Sequence, residues 1–179
     1  MFNNIPKMNN IIRHSIFITI FAILFSMLEI EIEGETGGWA KNIPTSQSNI
    51  GIFTSYHIIM NIMIILVVGY STLIINNNIY IAIYFIIAWF VIEDFCWFVL
   101  NPYFTLKKYT KEDIWWHSNQ PWIYNIPFHN IISLALILIL IIINGDITLF
   151  YSLILMIILV YITILLSPYY HKWYMKRKK

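Results

Sequence analysis

Charge is what this chain has least of: aspartate, glutamate, lysine and arginine make up only 11% of its 179 residues, against roughly a quarter in an average soluble domain. Cysteine is almost absent as well. The single Cys96 excludes an intrachain disulfide and a cysteine-based structural zinc site. No H-E-x-x-H pair, multiple-histidine desaturase pattern, phosphate-binding glycine loop or serine elbow occurs, so no familiar catalytic motif names a reaction. There is no internal repeat and no polar stretch long enough for a soluble domain, and no nucleic-acid partner is expected.

What remains is apolar: 59% of the residues are hydrophobic and the mean hydropathy is +0.70. The lipid bilayer is the expected solvent. The fold expected is all-α, a single integral membrane domain over 1–179. Its five transmembrane helices are read at about 11–32, 52–75, 79–100, 127–143 and 147–166, with a linker at 101–126. No small-x-small cleavage site follows Leu28, so the first run reads as a retained helix and not a signal peptide. Asn76-Asn77-Asn78 and Asn144-Gly145-Asp146 are too short for anything but tight turns, which makes antiparallel pairs of the helices they join. Asn101-Pro102 and Ser167-Pro168 read as helix stops. Thr110 and Asp113 have capping-box spacing, which predicts a short surface helix carrying Trp115, Trp116 and His117.

The interruption that matters is Glu93-Asp94, two adjacent carboxylates near the end of the 22-residue run from Ile79 to Leu100. As a helix that run reaches about 33 Å, enough to span. One charge at bilayer depth costs on the order of 3 kcal/mol, so an ionisable pair there is expected to serve a function. Further upstream, Glu29, Glu31, Glu33 and Glu35 share a face if extended, whereas in a helix only Glu29 and Glu33 do. His57 and Asn61 lie at i, i+4 near the start of the second span, and His129, Asn130 and Ser133 at the entrance of the fourth.

Basic residues set the orientation. Counting alternate sides of five spans gives nine lysines and arginines against two, Lys7 and Arg13, which places the C-terminus in the cytoplasm and the N-terminus outside a cell membrane. Glu29, Glu33, His57, Asn61, Glu93, Asp94, His117, His129 and Asn130 then fall in the cytoplasmic half, and the other half is nearly blank. Polar groups gathered at one depth are what an intramembrane cavity requires.

The expected function is a membrane-embedded enzyme acting on a lipid-like, amphiphilic substrate. Glu93, Asp94 and His129 would be its acid–base groups. His57, Glu93, Asp94 and His129 are the candidate ligands if a divalent metal such as zinc, iron or manganese takes part. Trp97, Asn61, Trp115, Trp116 and His117 would contact substrate or lipid, with Glu29 and Glu33 as further polar members. The alternatives are a small transporter or proton-pathway subunit built on Glu93 and Asp94, and a non-catalytic scaffold whose aromatic interface and basic tail bind lipid.

The segments Glu33 to Thr45, Glu93 to Pro102 and Ile114 to His117, read as E-G-x-x-G-G-W-A-x-x-I-P-T, E-D-F-x-W-F-V-L-N-P and I-W-W-H, resemble the pattern of small uncharacterised prokaryotic integral membrane proteins. That resemblance implies a membrane location and no activity. His57-x-x-x-Asn61 also resembles the last motif of the intramembrane CAAX-processing proteases. The paired-glutamate motif with its arginine does not precede it here, so the protease activity is not carried over.

Overall fold

A computed structural model describes residues 5–36, 55–114 and 120–178. Its five helices are α1 (Ile5–Glu33), α2 (Ser55–Asn76), α3 (Ile79–Leu100), α4 (Phe128–Asn144) and α5 (Ile147–Arg177). Four of them are long and apolar enough to cross a membrane, over Asn9–Glu33, His57–Asn76, Ile79–Leu100 and Ile147–Arg177. The exception is α4. Its 17 residues reach only about 26 Å at 1.5 Å per residue, short of the roughly 30 Å hydrocarbon core expected of a bilayer.

Local chemistry sets the ends. Asn78 caps α3 by accepting hydrogen bonds from the Tyr80 and Ile81 amides at 2.9 and 3.4 Å. Its own amide donates to Asn144 Oδ1 at 3.2 Å, which ties the α2–α3 turn to the α4–α5 turn. Gly145 ends α4 at φ +60°, a left-handed position suited to glycine, and Asp146 caps α5 through the Thr148 amide at 3.0 Å. At the other end Asn101 is fully buried and stops α3; its amide donates to Gly34 O at 3.1 Å and its Oδ1 accepts from the Tyr103 amide at 3.0 Å.

Ser167-Pro168 does not stop the fifth helix, which runs on to Arg177. Proline leaves the carbonyl four residues earlier without its amide partner. That carbonyl is Ile164 O, and Ser167 Oγ donates to it at 2.9 Å. The continued helix is then held from both sides, by the His171 ring donating to Val99 O at 2.9 Å and by Tyr174 OH donating to Ile30 O at 3.4 Å. Arg177 and Lys178 pair with Glu31 on the outer face of α1.

Helix α3 is the axis of the bundle, packing against all four others. Its Tyr84, Phe85, Trp89 and Phe98 are among the most deeply buried large side chains. Helices α2, α4 and α5 turn outward Leu66, Ile74, Ile142 and Ile157, as a lipid-facing surface would. Between α3 and α4 the linker closes with a hairpin of β1 (Trp122–Ile123) and β2 (Ile126–Pro127). Tyr124 and Asn125 both adopt positive φ at its turn, which matches the twist of a two-residue hairpin. Tyr124 is 96% exposed at the tip.

Thr110 Oγ1 accepts from the Asp113 amide at 3.2 Å and donates to Asp113 Oδ2 at 3.0 Å, one half of a capping box, on a turn that starts no helix among the described residues. Trp115, Trp116 and His117 lie outside the described residues, as does the glycine-rich connection after Thr36.

Candidate intramembrane acid–base site

The C-terminal ends of α1, α3 and α5 meet the N-terminal ends of α2 and α4, and there the carboxylates and imidazoles sort into three pairs. Helix geometry does the sorting. Because α1 stays helical to Glu33, Glu29 and Glu33 share its inner face and Glu31 turns outward to Arg177. Successive residues diverge by about 100° around a helix axis, so Glu93 and Asp94 address different neighbours: Glu93 faces α1 and Asp94 faces α4.

Glu29 and Glu93 face each other across α1 and α3, close enough for one carboxyl group to donate a hydrogen bond to the other. Two carboxyl groups can do so only when one carries a proton, because an ionised carboxylate accepts and never donates. Glu93 Oε1 is buried without a hydrogen-bond partner among the described residues, and the Glu93 carbonyl accepts from Ser26 Oγ at 2.9 Å. Glu33, whose side chain is 2% exposed, lies 3.3 Å from His57 Nε2.

The third pair joins α3 to α4. Asn130 Nδ2 donates to Asp94 Oδ2 at 3.3 Å and to the Tyr109 hydroxyl oxygen at 3.0 Å. Burial, reinforced by the Asp94 charge, pushes the Tyr109 phenol above its ordinary range, so it stays protonated. The hairpin folds Gln120 back over α4, where its Oε1 is 2.8 Å from His129 Nδ1. An amide oxygen can only accept, so Nδ1 carries the proton and Nε2 is the basic nitrogen of the neutral ring. His129 Nε2 lies 3.7 Å from Asp94 Oδ2. If Nε2 takes up a proton, the Asp94 carboxylate is placed to pair with the resulting imidazolium.

The four expected metal ligands do not converge. His57 pairs with Glu33 on one side of the bundle and His129 with Asp94 on the other, with Glu93 turned to Glu29 between them. No three histidine, cysteine, aspartate or glutamate side chains among the described residues form a group that could hold a metal. Asn61 is half-buried and makes no hydrogen bond among the described residues. Trp97 is buried against Phe98 and Phe104. Lys108 donates to Tyr103 O at 2.8 Å and is not drawn to the acidic pair.

An apolar groove of about 280 Å³ opens between α3, α4 and α5, and its lining includes none of Asp94, His129 and Asn130. Phe95 and Leu134 line it; the first follows Asp94 in sequence and the second lies one turn beyond Asn130. From there it runs past Val91, Ile137 and Val160 to Ala88 and Met156, towards the middle of the bundle. Most positions in α4 and the apolar part of α5 are isoleucine, leucine or valine, so sequence alone gave little sign of which would face a groove.

The opposite half is not blank. His14 Nε2 lies 2.8 Å from Thr72 Oγ1, and Ser15 Oγ is 2.6 Å from Ser152 Oγ, which also accepts from Tyr84 OH at 3.1 Å. Single hydroxyls scattered over three apolar runs carry little signal; the i, i+4 spacing of Ser15 and Thr19 beside His14 was the one available hint. The rings of Phe21, Phe25 and Trp89 pack together between this cluster and the carboxylates. No protein-family model, curated protein or solved structure matches the chain.

Proposed function

We propose that the protein is a membrane-embedded acid–base catalyst acting on an amphiphile with a hydroxyl-bearing head. The head sits at Asp94, His129 and Asn130, and the chain lies in the groove between α3, α4 and α5. The observation that carries this reading is the His129–Asp94–Asn130 cluster, with groove-lining Phe95 next to Asp94 in sequence and groove-lining Leu134 one helical turn beyond Asn130. His129 Nε2 takes the hydroxyl proton and the Asp94 carboxylate stabilises the resulting imidazolium, with Gln120 fixing the ring. The basic residues favour the cytoplasmic side for this end of the bundle, with the N-terminus outside. A proton path across the bilayer is less well supported, because Phe21, Phe25 and Trp89 separate the two polar clusters. A lipid-binding scaffold role for the basic tail is weakened by the engagement of Arg177 and Lys178 with Glu31.

Binding of a pyrene-labelled long-chain alcohol to detergent-solubilised protein tests this. Leu134→Trp places an indole in the groove from its outer side and is expected to weaken binding about tenfold or more, the equivalent of displacing roughly two methylenes at ~0.8 kcal/mol each. Ile139→Trp, on the same helix but outside the groove, is expected to bind as wild type does. Equal binding by wild type and Leu134→Trp would end the groove assignment.

A further inference from the structure

At the end of the bundle remote from the carboxylates, a cleft of about 610 Å³ opens between α1 and α2. Its polar wall is Asn10, Arg13 and Ser71, its apolar wall Phe17, Ile74 and Ile75, and the buried His14 forms its floor. We infer that this cleft binds the phosphate of an anionic phospholipid, with Arg13 as the anchoring cation.

Three observations converge on that ligand. The first is the position of Arg13, one turn inside the Asn9–Glu33 span, which puts a permanent cation at the boundary between headgroups and hydrocarbon. The second is its lack of an acid: no carboxylate pairs with Arg13 among the described residues. Described carboxylates other than Asp146 belong to the opposite end of the bundle or its linker, and Asp146 caps the α5 amides. Among the described residues that line the cleft, the guanidinium has an amide and a hydroxyl beside it and no carboxylate, and a phosphate matches such a donor fork in geometry and charge. The third observation separates lipid phosphate from free phosphate. Phe17, Ile74 and Ile75 are exposed and continue the cleft along the membrane-facing side of α1 and α2, where they suit acyl chains and offer nothing to a small ion. The floor is rigid, because His14 is fixed by Thr72 at 2.8 Å and by ring contacts with Phe17 and Phe85.

This inference is independent of the acid–base site, since no residue is shared with it. Native mass spectrometry of the full chain in detergent, titrated with dioleoylphosphatidylglycerol or dioleoylphosphatidylcholine, provides the test. Wild type is expected to retain the anionic lipid in preference to the zwitterionic one. Arg13→Gln, at an exposed position, is expected to reduce that retention about fivefold, the effect of one basic group at a lipid surface. Ile74→Glu, which puts a like charge opposite the phosphate, is expected to reduce it as well. Lys107→Gln removes the same charge from the other end and is expected to leave retention unchanged. Retention by Arg13→Gln equal to wild type, an equal loss in Lys107→Gln, or displacement of the lipid by millimolar inorganic phosphate would each overturn the assignment.

Discussion

Trp89→Ala is expected to destabilise the bundle by about 3 kcal/mol, the lower end of the range for deleting a buried indole. Trp89 is 1% exposed, and its ring lies 5.8 Å from that of Phe21, 5.1 Å from Phe25 and 5.2 Å from Phe90. These rings bind α1 to α3 at mid-depth, one turn from the Ser26–Glu93 hydrogen bond that joins the same two helices. The lower end applies because lipid chains are as apolar as the core, so the loss is one of packing and not of transfer from water. Equilibrium unfolding in mixed detergent measures it, with lipid-facing Ile83→Ala expected to cost less than about 1 kcal/mol by comparison. Similar values for the two variants would mean that the α1–α3 contact is not the core of the fold.

Glu93→Leu is expected to cost about 1–3 kcal/mol, the penalty for leaving a buried polar partner unmatched, here Glu29. Glu93→Gln supplies an amide that donates to a Glu29 carboxylate and is expected to stay within about 1 kcal/mol of wild type. The contrast between the two substitutions is diagnostic. Loss of the carboxyl group is common to both, whereas only leucine removes the capacity to donate a hydrogen bond to Glu29. The same unfolding assay reads it, and equal losses for leucine and glutamine would show that Glu93 is held by something other than its bond to Glu29.

The helices were legible in the sequence because apolar runs and turn residues are strong local signals. The third span was read at 79–100 and is found at Ile79–Leu100, with the asparagine turn and Asn101-Pro102 acting as expected. The fifth span was misread at Ser167-Pro168, because the rule for proline ignores what a neighbouring hydroxyl can do for the orphaned carbonyl. In the site, the gathering of Glu29, Glu33, His57, Glu93, Asp94, His129 and Asn130 at one end was readable from depth alone. Pairing was not readable. Depth says nothing about rotation around each helix axis, and rotation is what gives His57 to Glu33, turns Glu93 to Glu29 and leaves Asp94 with His129. Gln120 escaped notice because its role depends on the hairpin at Tyr124 and Asn125, whose positive φ values few would assign to a tyrosine.

The most direct test of the acid–base site and its groove is photolabelling with a long-chain alcohol carrying a diazirine near the hydroxyl, followed by mapping of the labelled peptides. The account predicts adducts concentrated around Asp94, Phe95, Asn130 and Leu134, and their loss in Leu134→Trp. Adducts spread evenly over the outward-facing isoleucines and leucines of α2 and α4, unchanged by that substitution, would contradict it and leave the groove as ordinary lipid-facing surface.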